Sequence, residues 1–226
     1  MKNKRGIIFD LDGTLYHFKG GDGSFGASDF YADLRQNMTR FLASRLDISG
    51  VEAQREYARI KDQYNGEVSL GVEKELGIDR YEWFGNTWNL EPAGYISSPG
   101  SRLAESLVPF SDRSLVLTAA PAAWAKPVLT YLGISDIFGE RVITGEPDVR
   151  KPNPAIFRRA AHLLQRRCCE VISIGDQNES DILPAKALGM LTIKVDSASM
   201  DADYCADSIY GAIDTVAFLD SYSSTD

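Results

Sequence analysis

The chain has 226 residues, 44% hydrophobic, 25% charged and 10% aromatic, which excludes collagen-like, disordered and mini-protein classes and leaves a globular fold with a sizeable core. Thirty-two acidic against 24 basic side chains give a formal charge of -8. Such a surface repels polyanions on average, which argues against nucleic-acid polymers and anionic membranes as partners.

Gly6-Ile7-Ile8-Phe9-Asp10-Leu11 reads as a short buried strand, followed by a polar turn and the glycine-rich stretch Gly20–Gly26. From about residue 28 to 90 the apolar residues recur at helical spacing. Phe30, Leu34, Met38 and Phe41 share a face, as do Ala53, Tyr57, Ile60 and Tyr64, then Val68, Val72 and Leu76, and finally Tyr81, Phe84 and Trp88. This block reads as a bundle of about four helices, with the aromatic stripe Tyr81, Trp83, Phe84 and Trp88 in its core. From residue 98 helix and strand alternate: a helix over Ser101–Val108, a strand at Ser114–Thr118, a helix over Ala122–Leu132 that Pro127 kinks or delays, and a strand at Val142–Thr144. Asn153-Pro154 opens the next helix. Val171–Ile174 is a strand, a helix runs from there to about Leu188, and Leu191–Val195 is the last clear strand. Alternating short apolar strands and helices predict an α/β fold with a doubly wound parallel sheet. Residues 1–16 and 98–226 form its core, and residues 17–97 are an inserted helical cap, hinged near Gly20–Gly26 and Pro92–Gly100.

Three cysteines, Cys168, Cys169 and Cys205, carry no metal-ligand spacing and read as reduced thiols. The apolar run after the N-terminal charges stops at Asp10, too short for a signal peptide, and no stretch matches a membrane span. These features predict a cytoplasmic protein, a monomer or small homo-oligomer.

In an open α/β sheet, ligands bind outside the carboxyl ends of the strands. The residues there are Asp10 and Asp12 after the first strand, Thr118 with Ala119 after the second, and Asp176 and Asp181 after the fourth; Lys151 opens the helix before the fourth. Clustered carboxylates repel one another unless a cation neutralises them, and all-oxygen ligation suits Mg²⁺. A metal admits an anionic phosphate, to which Lys151 adds charge and Thr118 a hydroxyl. A carboxylate can attack phosphorus to form an aspartyl-phosphate. Magnesium-assisted phosphoryl transfer follows from the residues alone. His17 lies close behind the first strand and reads as an exposed hinge residue, and Glu179 as a carboxylate at a helix N-terminus.

Phe9-Asp10-Leu11-Asp12-Gly13-Thr14-Leu15, a strand ending in Thr118, Lys151-Pro152, and Gly175-Asp176 followed by Asp181 resemble the four ordered motifs of the haloacid dehalogenase superfamily. The resemblance implies Asp10 as nucleophile and metal ligand. Asp12 becomes the general acid and then base, with its backbone carbonyl toward the metal. Thr118 and the backbone at Ala119 hold the phosphoryl group, and Lys151 neutralises it together with Asp10. Asp176 completes the metal ligation, and Asp181 holds the metal shell or Lys151. The second aspartate disfavours carbon–halogen cleavage. Ala119 departs from the pattern, because family members often carry Asn there. The implied activity is hydrolysis of a small-molecule phosphate ester; a phosphomutase or a non-catalytic binding module of the same fold are the alternatives. Thr14-Leu15-Tyr16, the helical insert and the short path from Thr118 to Lys151 further resemble the pyrimidine 5′-nucleotidase-like subgroup, which implies a nucleoside 5′-monophosphate substrate.

Overall fold

A computed structural model describes residues 4–98, 100–147 and 149–222. Six parallel strands form one sheet in the order β3-β2-β1-β4-β5-β6: β1 Gly6–Phe9, β2 Ser114–Leu117, β3 Val142–Ile143, β4 Val171–Gly175, β5 Leu191–Val195 and β6 Tyr204–Ala206. The central strands β1, β2 and β4 are buried along their whole length, as strands covered on both faces must be. Alternation along each strand divides the core in two. On one face Ile7, Phe9, Val116 and Ile174 pack against the helices α6 (Arg102–Leu107), α7 (Ala122–Tyr131), α8 (Ser135–Phe138) and α11 (Ile209–Tyr222). On the other face Ile8, Leu115 and Leu117 meet α9 (Pro154–Leu163) and α10 (Leu183–Lys186). The doubly wound parallel sheet expected from the sequence is the observed fold.

Between β1 and β2 the chain forms α1 (Asp29–Leu46), α2 (Gly50–Gln63), α3 (Val68–Leu76), α4 (Arg80–Thr87) and the short α5 (Pro92–Tyr95). The segments entering and leaving this block run side by side, through a bridge between Phe18 and Ile96 and a 2.7 Å bond from the Lys19 N–H to the Tyr95 carbonyl. Its apolar interior continues into the sheet-side core: Phe18, Phe30 and Tyr95 all contact Trp124 of α7.

Four local expectations are corrected. Tyr81 is exposed while its neighbour Trp83 is fully buried, because α4 turns the latter toward Phe41 of α1. Pro127 lies inside α7 without delaying its start at Ala122. The segment after β4 begins with a π-helical turn over Asn178–Ile182 before α10. The strand β6 and the helix α11 extend the sheet and its cover beyond the elements predicted. β6 is largely exposed and has no apolar alternation to announce it.

Candidate active site

The first loop is built by its own short-range bonds. The Leu15 N–H donates to the Leu11 carbonyl (3.0 Å) and the Gly13 N–H to the Tyr16 carbonyl (3.0 Å), folding the chain back so that Tyr16 lies beside Asp12. Gly13 turns with φ +86°, and a Cβ there would stand 2.5 Å from Asp176 Oδ2, so only glycine lets the first and fourth loops meet. The bonds Asp10 N–H to Ile174 carbonyl and Thr118 N–H to Ile143 carbonyl, both 2.9 Å, carry the strand ladder one residue beyond β1 and β2. Both side chains therefore project from rigid sheet rather than from free loop.

These strand ends bring the expected residues together. Lys151 is buried and donates from Nζ to Asp10 Oδ1 (2.5 Å) and the Leu117 carbonyl (3.1 Å), and it pairs with Asp181. Thr14 Oγ1 donates to the other Asp10 oxygen at 2.9 Å. Asp181 is held by the π-helical turn, where its Oδ2 accepts from the Gln177 N–H at 3.0 Å. Asp10, Asp176 and Asp181 each present a carboxylate oxygen within 4.8 Å of the others. The Asp12 carboxylate lies outside that trio: its Oδ1 accepts from Trp124 Nε1 (2.9 Å) and Tyr16 OH, and its Oδ2 from Thr118 Oγ1 (3.0 Å). Thr118 Oγ1 in turn accepts the Ala120 N–H at 2.9 Å. The Thr118 hydroxyl is thus committed to Asp12 in this arrangement.

Burial raises the Asp10 carboxyl well above the usual carboxylate range, and the neighbouring aspartates add to the rise that Lys151 only partly offsets. Burial and the charge of Asp181 push Asp176 up to about 6. Asp12 is raised by burial, against the bonds from Tyr16, Trp124 and Thr118. Burial works against the charge of Lys151, but Asp10 and Asp181 hold its pKa above the ordinary lysine value. The buried Oδ1 of Asp176 has no hydrogen-bond partner among the described residues. Three converging carboxylates, one with an orphaned oxygen, are a donor set that fits a hard divalent cation such as Mg²⁺.

Asp12, Ala119 and Asp176 line a cleft of about 850 Å³ that His17, Lys194 and Asp196 also border. Lys151 and Ala119 line a second cavity, of about 530 Å³, reaching among α1, α2 and α4 to Tyr57 and Lys61. Phe25 and Trp88 border both. His17, expected as a hinge residue, faces Asp196 at 3.6 Å.

The haloacid dehalogenase-like hydrolase model matches residues 113–189. The chain is 30% identical over 194 residues to the phosphoglycolate phosphatase of Cereibacter sphaeroides, covering 82% of each protein. It belongs to the haloacid dehalogenase-like hydrolases. It is also 26% identical over 211 residues to the glyceraldehyde 3-phosphate phosphatase of Methanopyrus kandleri, covering 84% of this chain and 83% of that one. A haloacid dehalogenase phosphatase from Thermococcus onnurineus shares the fold, with a TM-score of 0.63 at 20% identity over 94% of this chain and 97% of the other.

Within this hydrolase the sequence reading missed three residues that touch the site. Tyr16 and Trp124 bind Asp12, and Lys194 of β5 donates to the Asp176 carbonyl. Tyr16 stood in the first motif as a subgroup marker only. Lys194 is 7% exposed in β5, and a charged residue between Ile193 and Val195 in an expected buried strand is the one signal that could have singled it out. No helix among the described residues is long and apolar enough to cross a membrane.

Proposed function

We propose that this hydrolase is a Mg²⁺-dependent phosphatase that cleaves a small phosphate monoester through an aspartyl-phosphate on Asp10. The observation that carries the reading is the Asp10 carboxylate, held at the end of β1 between Lys151 and Thr14, with Asp12 on the next turn facing the cleft. Asp10, Asp176 and Asp181 would hold the metal, with the Asp12 backbone carbonyl beside them. Bound there, Mg²⁺ supplies the positive charge that lets a phosphate dianion approach carboxylates. An Asp10 oxygen attacks phosphorus, and the bond to the leaving oxygen breaks. Lys151 neutralises Asp10 and the transferring oxygens, while the backbone at Ala119 and the Thr118 side face the phosphoryl group. Asp12 gives its proton to the leaving oxygen, then takes one from the water that cleaves the acyl phosphate.

The curated relatives named above are phosphatases of two- and three-carbon phosphates, which supports a short, polar phosphomonoester as substrate. The nucleotidase-like reading finds no support among them. What favours retaining it as the second reading is the pair of near-parallel rings Phe25 and Trp88 at the cleft, 6.1 Å apart, on which a base could stack. Phosphate release from a panel holding phosphoglycolate, glyceraldehyde 3-phosphate, sugar phosphates and nucleoside 5′-monophosphates, with and without Mg²⁺, tests both. Activity on at least one ester should vanish with EDTA and return with Mg²⁺ but poorly with Ca²⁺, whose larger, looser shell suits the site less. Full turnover after exhaustive chelation would refute the metal site, and phosphoryl transfer to a sugar hydroxyl without phosphate release would favour a mutase.

A further inference from the structure

The Asp12 carboxylate is supplied with donors asymmetrically. Oδ1 receives two, the Tyr16 hydroxyl and the Trp124 indole N–H at 2.9 Å, whereas Oδ2 receives only the Thr118 hydroxyl at 3.0 Å. The indole N–H also points at the Tyr16 oxygen, 3.0 Å away, so the three groups form one small network. An oxygen already accepting two donors is the poorer place for a proton. Tyr16 and Trp124 are both buried, at 5% and 0% exposure.

Taking Asp12 as the general acid of the proposed phosphatase, we infer that Trp124 and Tyr16 are positioning residues that keep the acid proton on Oδ2. Saturating Oδ1 leaves Oδ2 to carry the proton, and the Thr118 hydroxyl turns to accept from it. When the phosphorus–oxygen bond breaks, that proton passes to the leaving oxygen and Asp12 becomes a carboxylate. The carboxylate then draws its strongest support from the same two donors on Oδ1. It recovers the proton from the attacking water on the same oxygen, so only the Thr118 hydroxyl turns between the two half-reactions while both donors on Oδ1 stay in place.

The indole that performs this is itself clamped by the helical block. Phe30 of α1 meets the Trp124 ring at 4.2 Å between centroids, Phe18 lies nearly parallel to it at 6.3 Å, and Tyr95 contacts it edge-on at 6.4 Å. The general acid is therefore braced from the block between β1 and β2 as well as from the sheet.

Hydrolysis of substituted phenyl phosphates tests the inference, because they match in size and differ in how much proton donation the leaving oxygen needs. Trp124→Phe and Tyr16→Phe should each lower kcat/KM for phenyl phosphate about tenfold or more, the scale of a lost hydrogen bond to a charged group. They should leave p-nitrophenyl phosphate within about twofold, so that the plot of log kcat/KM against leaving-group pKa steepens. In an Asp12→Ala background neither change should steepen the plot further. Equal losses on every ester, or further steepening in that background, would overturn the inference.

A second readout needs no turnover. Among the three tryptophans, the indole N–H resonance lost in Trp124→Phe should shift when Asp12 is replaced by alanine. A resonance that stays in place overturns the inference whether or not the protein hydrolyses any ester. A resonance that moves in a protein inert toward every ester would instead overturn the phosphatase reading, and with it the purpose assigned to the bond.

Discussion

Asp10 is the residue whose chemistry is most sharply defined by its neighbours, with one oxygen on Lys151, the other on Thr14, and two more aspartates converging on it. Asp10→Asn should keep the fold, because the amide oxygen can still accept from Lys151 while its NH2 donates to the Thr14 hydroxyl, yet abolish turnover, because an amide is a poor nucleophile and metal ligand. Phosphate release alongside circular dichroism checks this, and a folded variant with substantial turnover would refute the covalent step. Gly13 makes a second prediction. Its φ of +86° and the 2.5 Å approach of Asp176 Oδ2 leave no room for a methyl group. Gly13→Ala should cost about 1–2 kcal/mol in backbone strain alone and should weaken Mg²⁺ binding by displacing Asp176, measured by urea unfolding and calorimetric titration. The residues that sit at strand ends were legible in the sequence because the sheet itself determines where Asp10, Thr118 and Asp176 go. Trp124 was not. Its bond to Asp12 spans 112 positions and depends on how α7 is seated, which no local pattern reports.

At the scale of single elements, the helices of the block between β1 and β2 carry conventional end signals. Ser49 caps α2 by accepting the Glu52 N–H, and Glu52 returns a bond to the Ser49 N–H at 2.9 Å. Ser49→Ala should cost about 1 kcal/mol of stability with no change in kcat, since the cap borders neither cavity; the urea midpoint and a rate assay check both halves. Such caps and the 3.6-residue period made the helical block readable. Two features were not, for physical reasons. On α4 the helical period admits two neighbouring stripes, and only contact with Phe41 selects Trp83 over Tyr81. The π-helical turn after β4 is made by a bond five residues back, from the Leu183 N–H to the Asn178 carbonyl, and no local apolar period announces it.

The whole molecule joins a sheet that carries the candidate catalytic side chains to a helical block that walls the space in front of them. Aromatic packing around Trp124 seats that block, and two polar ties reach the loop that presents Lys151: Arg80 Nη1 donates to the Glu146 carbonyl at 2.9 Å, and Arg150 pairs with Glu67. We propose the division of labour that this arrangement favours, with chemistry in Asp10, Asp12, Lys151 and Asp176 and substrate choice in residues 17–97. Trp88 is the side chain best placed to test it. It borders both cavities, stacks near-parallel with Phe25, and its buried Nε1 has no hydrogen-bond partner among the described residues, which leaves a donor for a leaving group. Trp88→Ala should change the relative kcat/KM among the larger esters of the panel by about tenfold, the effect of losing one well-packed aromatic contact. Acetyl phosphate, whose leaving group fills little of the cleft, should be spared to within about threefold, because none of the groups that act on phosphorus touches the indole. A uniform loss across all esters with the fold intact would place Trp88 in the chemistry, and an unchanged ranking would move substrate choice to the sheet side of the cleft, where Lys194 and Asp196 lie.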